Sequence, residues 1–244
     1  MRNIRLLLTD LAVYLWQRTL LRHPVSILMY HSVGLNGHFF TVRPDQFRWQ
    51  MSYLKEHGFH VVRLTDIVSA VKERRHIAMH TVVLTFDDGY EDNFREVLPI
   101  LKEFGYPATI FLSAGHIGTE REVRSVTLRH LTQTQIREMS SSGLVDFQSH
   151  GMTHRKLTDL SDDQVWNEIR ASKDIIRNLN GHESRIFAYP FGAVNNIVRG
   201  IVAQEFDAAV GVVRGYADVR SDVLQLPRQS VDSLIGHRRF ILRI

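Results

Sequence analysis

The sequence predicts an α/β fold, and three observations lead there. Short apolar runs alternate with helical patterns along most of the chain, the order in which strands and their covering helices succeed one another. The run at 81–86, Thr-Val-Val-Leu-Thr-Phe, reads as a buried strand. Two polar motifs each begin where such a run stops, and strand ends are where α/β proteins place their chemistry. A length of 244 residues suits one barrel-sized domain and does not demand two.

Residues 25–30 form the first strand. Residues 34–41 are a loop with the turn signal Asn36-Gly37. Pro44-Asp45-Gln46-Phe47 starts a helix that runs to about His57 and stops at Gly58. A strand follows at 59–63, and Thr65 caps a helix to about residue 73. The strand at 81–86 leads to a helix over 92–104, ended by Gly105, and then to a strand at 107–112. Residues 113–127 read as a long substrate-facing loop. A helix over 131–142 precedes the apolar run 144–147, and Ser161 with Gln164 matches a capping box for a helix to 179. Residues 185–189 and 208–212 read as strands around a helix near 195–205. The run 223–226 completes seven or eight units.

Composition narrows the function. The hydrophobic fraction of 44% and charged fraction of 23% are those of a globular protein, with no low-complexity block or repeat. The net charge is +4 with the basic residues scattered, so nothing reads as a nucleic-acid stripe. With no cysteine, a metal site must use His and carboxylate. Residues 1–24 carry Ile4, Leu7, Leu8, Leu11, Leu15 and Trp16 near helical spacing, an amphipathic helix that packs on the domain or lies on a membrane surface. Asp10 interrupts its apolar core and no small-residue cleavage site follows, so no signal peptide is expected. The expected location is cytoplasmic or peripheral to a membrane, with residues 25–244 as the catalytic domain.

The two polar motifs carry the chemistry. Asp87-Asp88 lies in Thr85-Phe86-Asp87-Asp88-Gly89-Tyr90, and His150 and His154 lie in Ser149-His150-Gly151-Met152-Thr153-His154. Singly, each has a plainer reading: Asp-Asp-Gly suits a turn, and two His four apart suit a solvated helix face. Together, two imidazoles and one carboxylate make a set of metal ligands that leaves positions for water and substrate, and the spare carboxylate can serve as base. That composition points to metal-assisted hydrolysis.

These motifs resemble the first two signatures of the polysaccharide deacetylases, the NodB-type carbohydrate esterases of family 4. The resemblance runs from about Val25 to Asp232. It implies a distorted seven-stranded (β/α) barrel, with Asp87 as catalytic base and Asp88, His150 and His154 as ligands of a divalent metal. Zinc (Zn2+) is the default, with cobalt, nickel and manganese open because no thiolate discriminates. The third motif departs from the family pattern. Phe187-Ala188-Tyr189-Pro190-Phe191-Gly192 has Ala188 where an Arg normally orients the base. This variant resembles the branch acting on exopolysaccharides such as poly-N-acetylglucosamine, in which the motif order is permuted. Leu28-Met29-Tyr30-His31 then supplies the catalytic acid, His31, and Arg228 stands in for the missing Arg. His237 near the C-terminus is the alternative acid, although it lacks the Leu-x-x spacing. Tyr90, Tyr189 and Phe191 flank the motifs as faces for sugar stacking, and a backbone N–H near Tyr189 or Phe191 would receive the oxyanion. The expected activity is N-deacetylation of an N-acetylhexosamine glycan, the acetylated glycan being the partner. O-deacetylation, another amide hydrolysis, or an inactive glycan-binding module are the alternatives.

Overall fold

The computed structural model describes residues 24–123 and 125–244. The helix expected over residues 1–24 lies outside the described residues, Pro24 apart. Among the described residues no helix is long and apolar enough to cross a membrane.

The chain starts on β1 (Ser26–Tyr30), fully buried, and pairs β2 (Ser32–Val33) with β3 (Thr41–Val42) in a small flap. Helix α1 (Pro44–Glu56) opens on proline, whose missing N–H costs nothing in a first turn, and buries Phe47, Met51 and Leu54 along one stripe. Next come β4 (His60–Val62), α2 (Leu64–Lys72) and β5 (Thr81–Phe86). A π-helical turn at Asn93–Val97 runs into α3 (Leu98–Phe104), ended by Gly105 at φ 69°. After β6 (Ala108–Leu112), a 3-10 turn leads to the hairpin β7 (Glu120–Val123) and β8 (Val126–Arg129). Helix α4 (Gln133–Ser141) begins on a Thr132–Gln135 capping box, and β9 (Val145–Ser149) follows. The Ser161–Gln164 box opens α5 (Asp162–Asn180), as the sequence predicts. The rest is β10 (Ile186–Ala188), α6 (Asn196–Glu205), β11 (Ala208–Arg214), β12 (Leu226–Ser230) and α7 (His237–Ile241).

Seven strands close a parallel barrel in the order β1, β12, β11, β10, β9, β6, β5 and back to β1. Its distortion has three sources. The far edge of β5 is shared, by β4 against residues 81–83 and by β6 against 85–86. β9 and β10 meet at one register pair, Ser149 with Phe187. Register slips between β11 and β12 from Val210 to Arg214. Alternate residues serve opposite faces of the strands. Ile27, Val83, Phe111 and Ala188 share one apolar cluster, whereas Leu28, Leu84 and Ile110 pack with Phe47 and Met51 of α1 and Leu101 of α3 in another.

Several local expectations need correction. Thr65 does not cap α2; Arg63 holds the cap position and Thr65 lies inside the first turn. The last strand starts at Leu226, where the apolar run ends, because its polar residues Arg228 and Gln229 are themselves buried. The loop at 113–127 contains a hairpin strand, whose exposed Glu-Arg-Glu pattern gives no apolar signal.

Candidate active site

The barrel places the motif residues at the ends of neighbouring strands. Tyr30 is in register with Phe86, and Asp87 N–H donates to Tyr30 O at 2.9 Å, so His31 and Asp87 leave β1 and β5 side by side. β9 hands on directly to His150, whose N–H donates to Leu112 O at 2.9 Å. Gly89 turns the chain at φ 74°; a Cβ there would lie 2.5 Å from the Leu112 side chain.

Asp88, His150 and His154 converge, with one ligand atom from each within 4.8 Å of the others. Asp88 Oδ1 is 3.2 Å from His154 Nε2 and 3.6 Å from His150 Nε2. His150 Nδ1 lies 2.7 Å from Ala188 O, a contact that requires the proton on Nδ1, so that the neutral tautomer it selects carries its lone pair on Nε2. Burial pushes the His154 imidazole down to about 4, against the pull of Asp88, so that ring is neutral near pH 7. Asp88 remains an anion: burial raises its carboxyl, but the surrounding histidines outweigh that and leave it below its ordinary value. Its Oδ1 is buried and has no hydrogen-bond partner among the described residues. Three lone pairs facing one another repel unless a cation lies among them, so the residues fit a divalent metal bound by one carboxylate and two imidazoles. The backbone is strained to present them. Asp88 at φ 73° and His154 at φ 54° are both in the left-handed region that L-residues avoid.

Asp87 is held differently. Arg228 reaches across the barrel to place Nη1 2.8 Å from Asp87 Oδ1 and Nη2 2.7 Å from Oδ2. The guanidinium is fixed in turn by Gly211 O at 2.8 Å and Thr85 Oγ1 at 3.2 Å. Burial alone would raise the Asp87 carboxyl; the Arg228 charge and its hydrogen bonds reverse this and hold it well below the usual carboxylate range. With Ala188 at the end of β10, the guanidinium beside Asp87 comes from β12.

Asp87, Asp88, His150 and His154 line a cavity of about 500 Å³. His31 lines it half-buried, its ring stacked on Phe40 at 5.3 Å and its backbone O taken by Asn93 Nδ2 at 3.0 Å. His237 does not line it; that ring stacks on Trp49 at 3.6 Å. Tyr90 is buried with its hydroxyl on Asp88 and its ring stacked on Phe40 at 5.6 Å. Tyr189 borders the cavity, but its side chain is fully buried, its hydroxyl donates to Leu224 O at 3.0 Å, and its N–H donates to Val210 O at 3.2 Å. Its ring is therefore not a stacking face and its N–H is already committed. Phe191 is 62% exposed at φ 59°, its ring 4.6 Å from His154. Sequence reasoning missed Phe39, Phe40, His116, Arg121 and His130, which are also part of the lining. The adjacent aromatics Phe39-Phe40, just after an Asn-Gly turn, were the available signal.

A family model described as polysaccharide deacetylase matches residues 75–206, more than half of the chain. The chain belongs to the polysaccharide deacetylase family. YxkH of Bacillus subtilis (strain 168) is 31% identical over 180 residues, covering 74% of this chain and 61% of that protein. The poly-beta-1,6-N-acetyl-D-glucosamine N-deacetylase of Staphylococcus epidermidis is 29% identical over 167 residues, covering 64% of this chain and 56% of that one. The chain thus spans less than two thirds of these relatives' length. The Streptococcus pyogenes deacetylase PplD, solved in complex with acetate, superposes with a TM-score of 0.79 at 26% identity over 90% of this chain and 97% of that one.

Proposed function

We propose that this family member is a metal-dependent hydrolase that removes N-acetyl groups from N-acetylhexosamine units of a glycan. The observation that carries the reading is the division of labour in the Asp pair. Asp87 is gripped by Arg228, while the free Oδ1 of Asp88 faces two imidazole nitrogens. A divalent cation bound by Asp88, His150 and His154, zinc by default, would acidify a water and polarise the acetamide oxygen.

The chain's own groups supply the proton traffic. Asp87 accepts a proton from the attacking water. A carboxylate held so acidic by Arg228 is a poor base toward bulk water, so it suits a water that has been made acidic. His31, at the adjacent strand end, delivers a proton to the leaving nitrogen. With the Tyr189 N–H committed to Val210 O, the Phe191 N–H is the backbone donor assigned to the carbonyl oxygen in this reading. The exposed rings of Phe39 and Phe191 at the cavity offer apolar faces to a sugar. The named activity of the Staphylococcus epidermidis relative makes a β-1,6-linked N-acetylglucosamine polymer the first substrate to test.

The test is acetate release from β-1,6- and β-1,4-linked N-acetylglucosamine oligomers and from O-acetylated glycans, with chelation and zinc add-back. Release from an N-acetylated glycan that stops on chelation and returns with zinc is the expected result. Release from O-acetylated glycans alone would move the activity to ester hydrolysis. Metal uptake without any acetate would leave a binding module.

A further inference from the structure

Residues 151–153, between the two imidazoles, form no helix or strand, yet they deliver His154 in a strained backbone conformation. Their hold comes from outside. On one side Ala114 N–H donates to Gly151 O at 3.0 Å and Gly115 N–H to Met152 O at 2.7 Å. On the other side stands Glu168 of α5. One of its oxygens accepts from Met152 N–H at 3.0 Å and Thr153 N–H at 2.8 Å, and the other accepts from the Thr153 hydroxyl. One helical turn on, Ser172 contacts Ser149 Oγ at 2.6 Å, which accepts from Gly151 N–H at 3.1 Å. Every N–H from Gly151 to Thr153 is therefore taken by a side-chain oxygen that α5 provides or props.

Glu168 is 8% exposed and forms no ion pair with Lys or Arg among the described residues. A buried carboxylate without a cationic partner is expensive unless hydrogen bonds carry it. Its three donors all belong to the segment between the ligands. Gly151 turns the chain toward Glu168 at φ 76°, in the left-handed region that favours glycine.

We infer that Glu168 is a positioning residue for the cation site: by fixing the backbone of Met152 and Thr153 it sets the spacing and aim of the His150 and His154 imidazoles. The inference rests on the reading of Asp88, His150 and His154 as a metal site. The geometry of the hydrogen bonds does the work here, and the negative charge is secondary. An amide at position 168 can still accept from both N–H groups with its oxygen while its NH2 faces the Thr153 hydroxyl. An aspartate keeps the charge and falls one methylene short.

The experiment measures cobalt(II) affinity and the visible spectrum of the cobalt form, alongside the melting temperature of the metal-free protein, for the wild type, E168Q, E168D and E168A. E168Q is expected to bind cobalt much as the wild type does. E168D and E168A are expected to lose about 10–100-fold in affinity, the usual effect of removing an outer partner of a metal site, with altered spectra. If E168Q is weak and E168D normal, the charge matters and the inference falls. It falls equally if the variants only melt earlier and bind cobalt unchanged. A wild type that binds no cobalt would remove the metal-site reading itself, and the inference with it.

Discussion

Arg228 and Asp87 meet fork to fork, through two hydrogen bonds of 2.8 and 2.7 Å, with both side chains shut away from solvent. A planar guanidinium matched to a carboxylate fixes direction as well as charge, and a lysine could not reproduce it. Breaking such a pair from one side leaves a lone buried charge, at a cost of about 3–5 kcal/mol.

Asp87→Asn is therefore expected to do two things. Turnover should fall by roughly 10²–10⁴-fold, the scale of a lost general base, with metal affinity retained. The melting temperature should also fall, because Arg228 stays charged without its partner. Because the folded-state value of Asp87 lies below its unfolded one, the pair's stabilisation is present above the ordinary carboxylate range and disappears only as pH drops through and below it. Acetate-release kinetics and melts over pH 2–8 test both effects. Normal turnover in Asp87→Asn would remove it as base.

The proposed metal ligands make a second prediction. Removing both His150 and His154 leaves one carboxylate, too little to hold a divalent ion. Metal analysis of the double alanine variant after dialysis should find about none retained. Full occupancy would place the site elsewhere.

His31 can be tested through the leaving group. An acetamide expels a poor nitrogen leaving group that needs a proton, whereas an activated phenyl ester does not. His31→Ala should lower kcat on the amide by about 10²-fold or more and spare the ester. Equal losses on both would show that His31 does not act as the acid.

Asp92 gives a pH signature unrelated to catalysis. Burial pushes its carboxyl up to about 7, even though it accepts from Ser32 Oγ at 2.5 Å and Asn93 Nδ2 at 3.0 Å. A folded-state value raised above the unfolded one means stability is lost as pH rises from about 4 to about 7, then levels off. Asp92→Asn cannot ionise, so its melting temperature should gain on the wild type across that interval, with 1 kcal/mol worth about 2–4 °C at this chain length. A gap that does not change with pH would contradict this.

What could be read from the sequence depended on whether a feature was local. Asp87-Asp88 and the His pair were legible because residue type, spacing and the preceding strand all lie within a few positions. The alternation of runs and helices gave the α/β class, and the family resemblance gave the seven-stranded closure. Arg228 was harder, since its partner lies 141 residues away and its strand is lined with polar residues. Tyr189 was misread for a definite reason. It lies two positions from Phe187, so both rings point to the same face and pack with Val165 and Ile169 of α5 and Val202 of α6, while Ala188 packs with Ile27 and Val83 on the opposite face. Glu168 looked like any acidic residue on a helix; nothing in α5 itself reveals that its donors lie in a loop 15 residues earlier.

The single register pair joining β9 to β10 has a consequence for how the barrel holds together. Just past that pair, the His150 imidazole crosses from one strand end to Ala188 O at the other. This contact adds a proposed ligand side chain to the hydrogen bonds by which Gln148 and Ser149 already hold residues 184–186 across the seam. A cation on its Nε2 would make the Nδ1 proton a stronger donor and tighten the bond to Ala188. Ion occupancy and wall cohesion then become two readings of one linked equilibrium. If the proposed cation binds there, losing it weakens the His150 contact across the seam, and any change that breaks that contact weakens the cation's hold by the same factor.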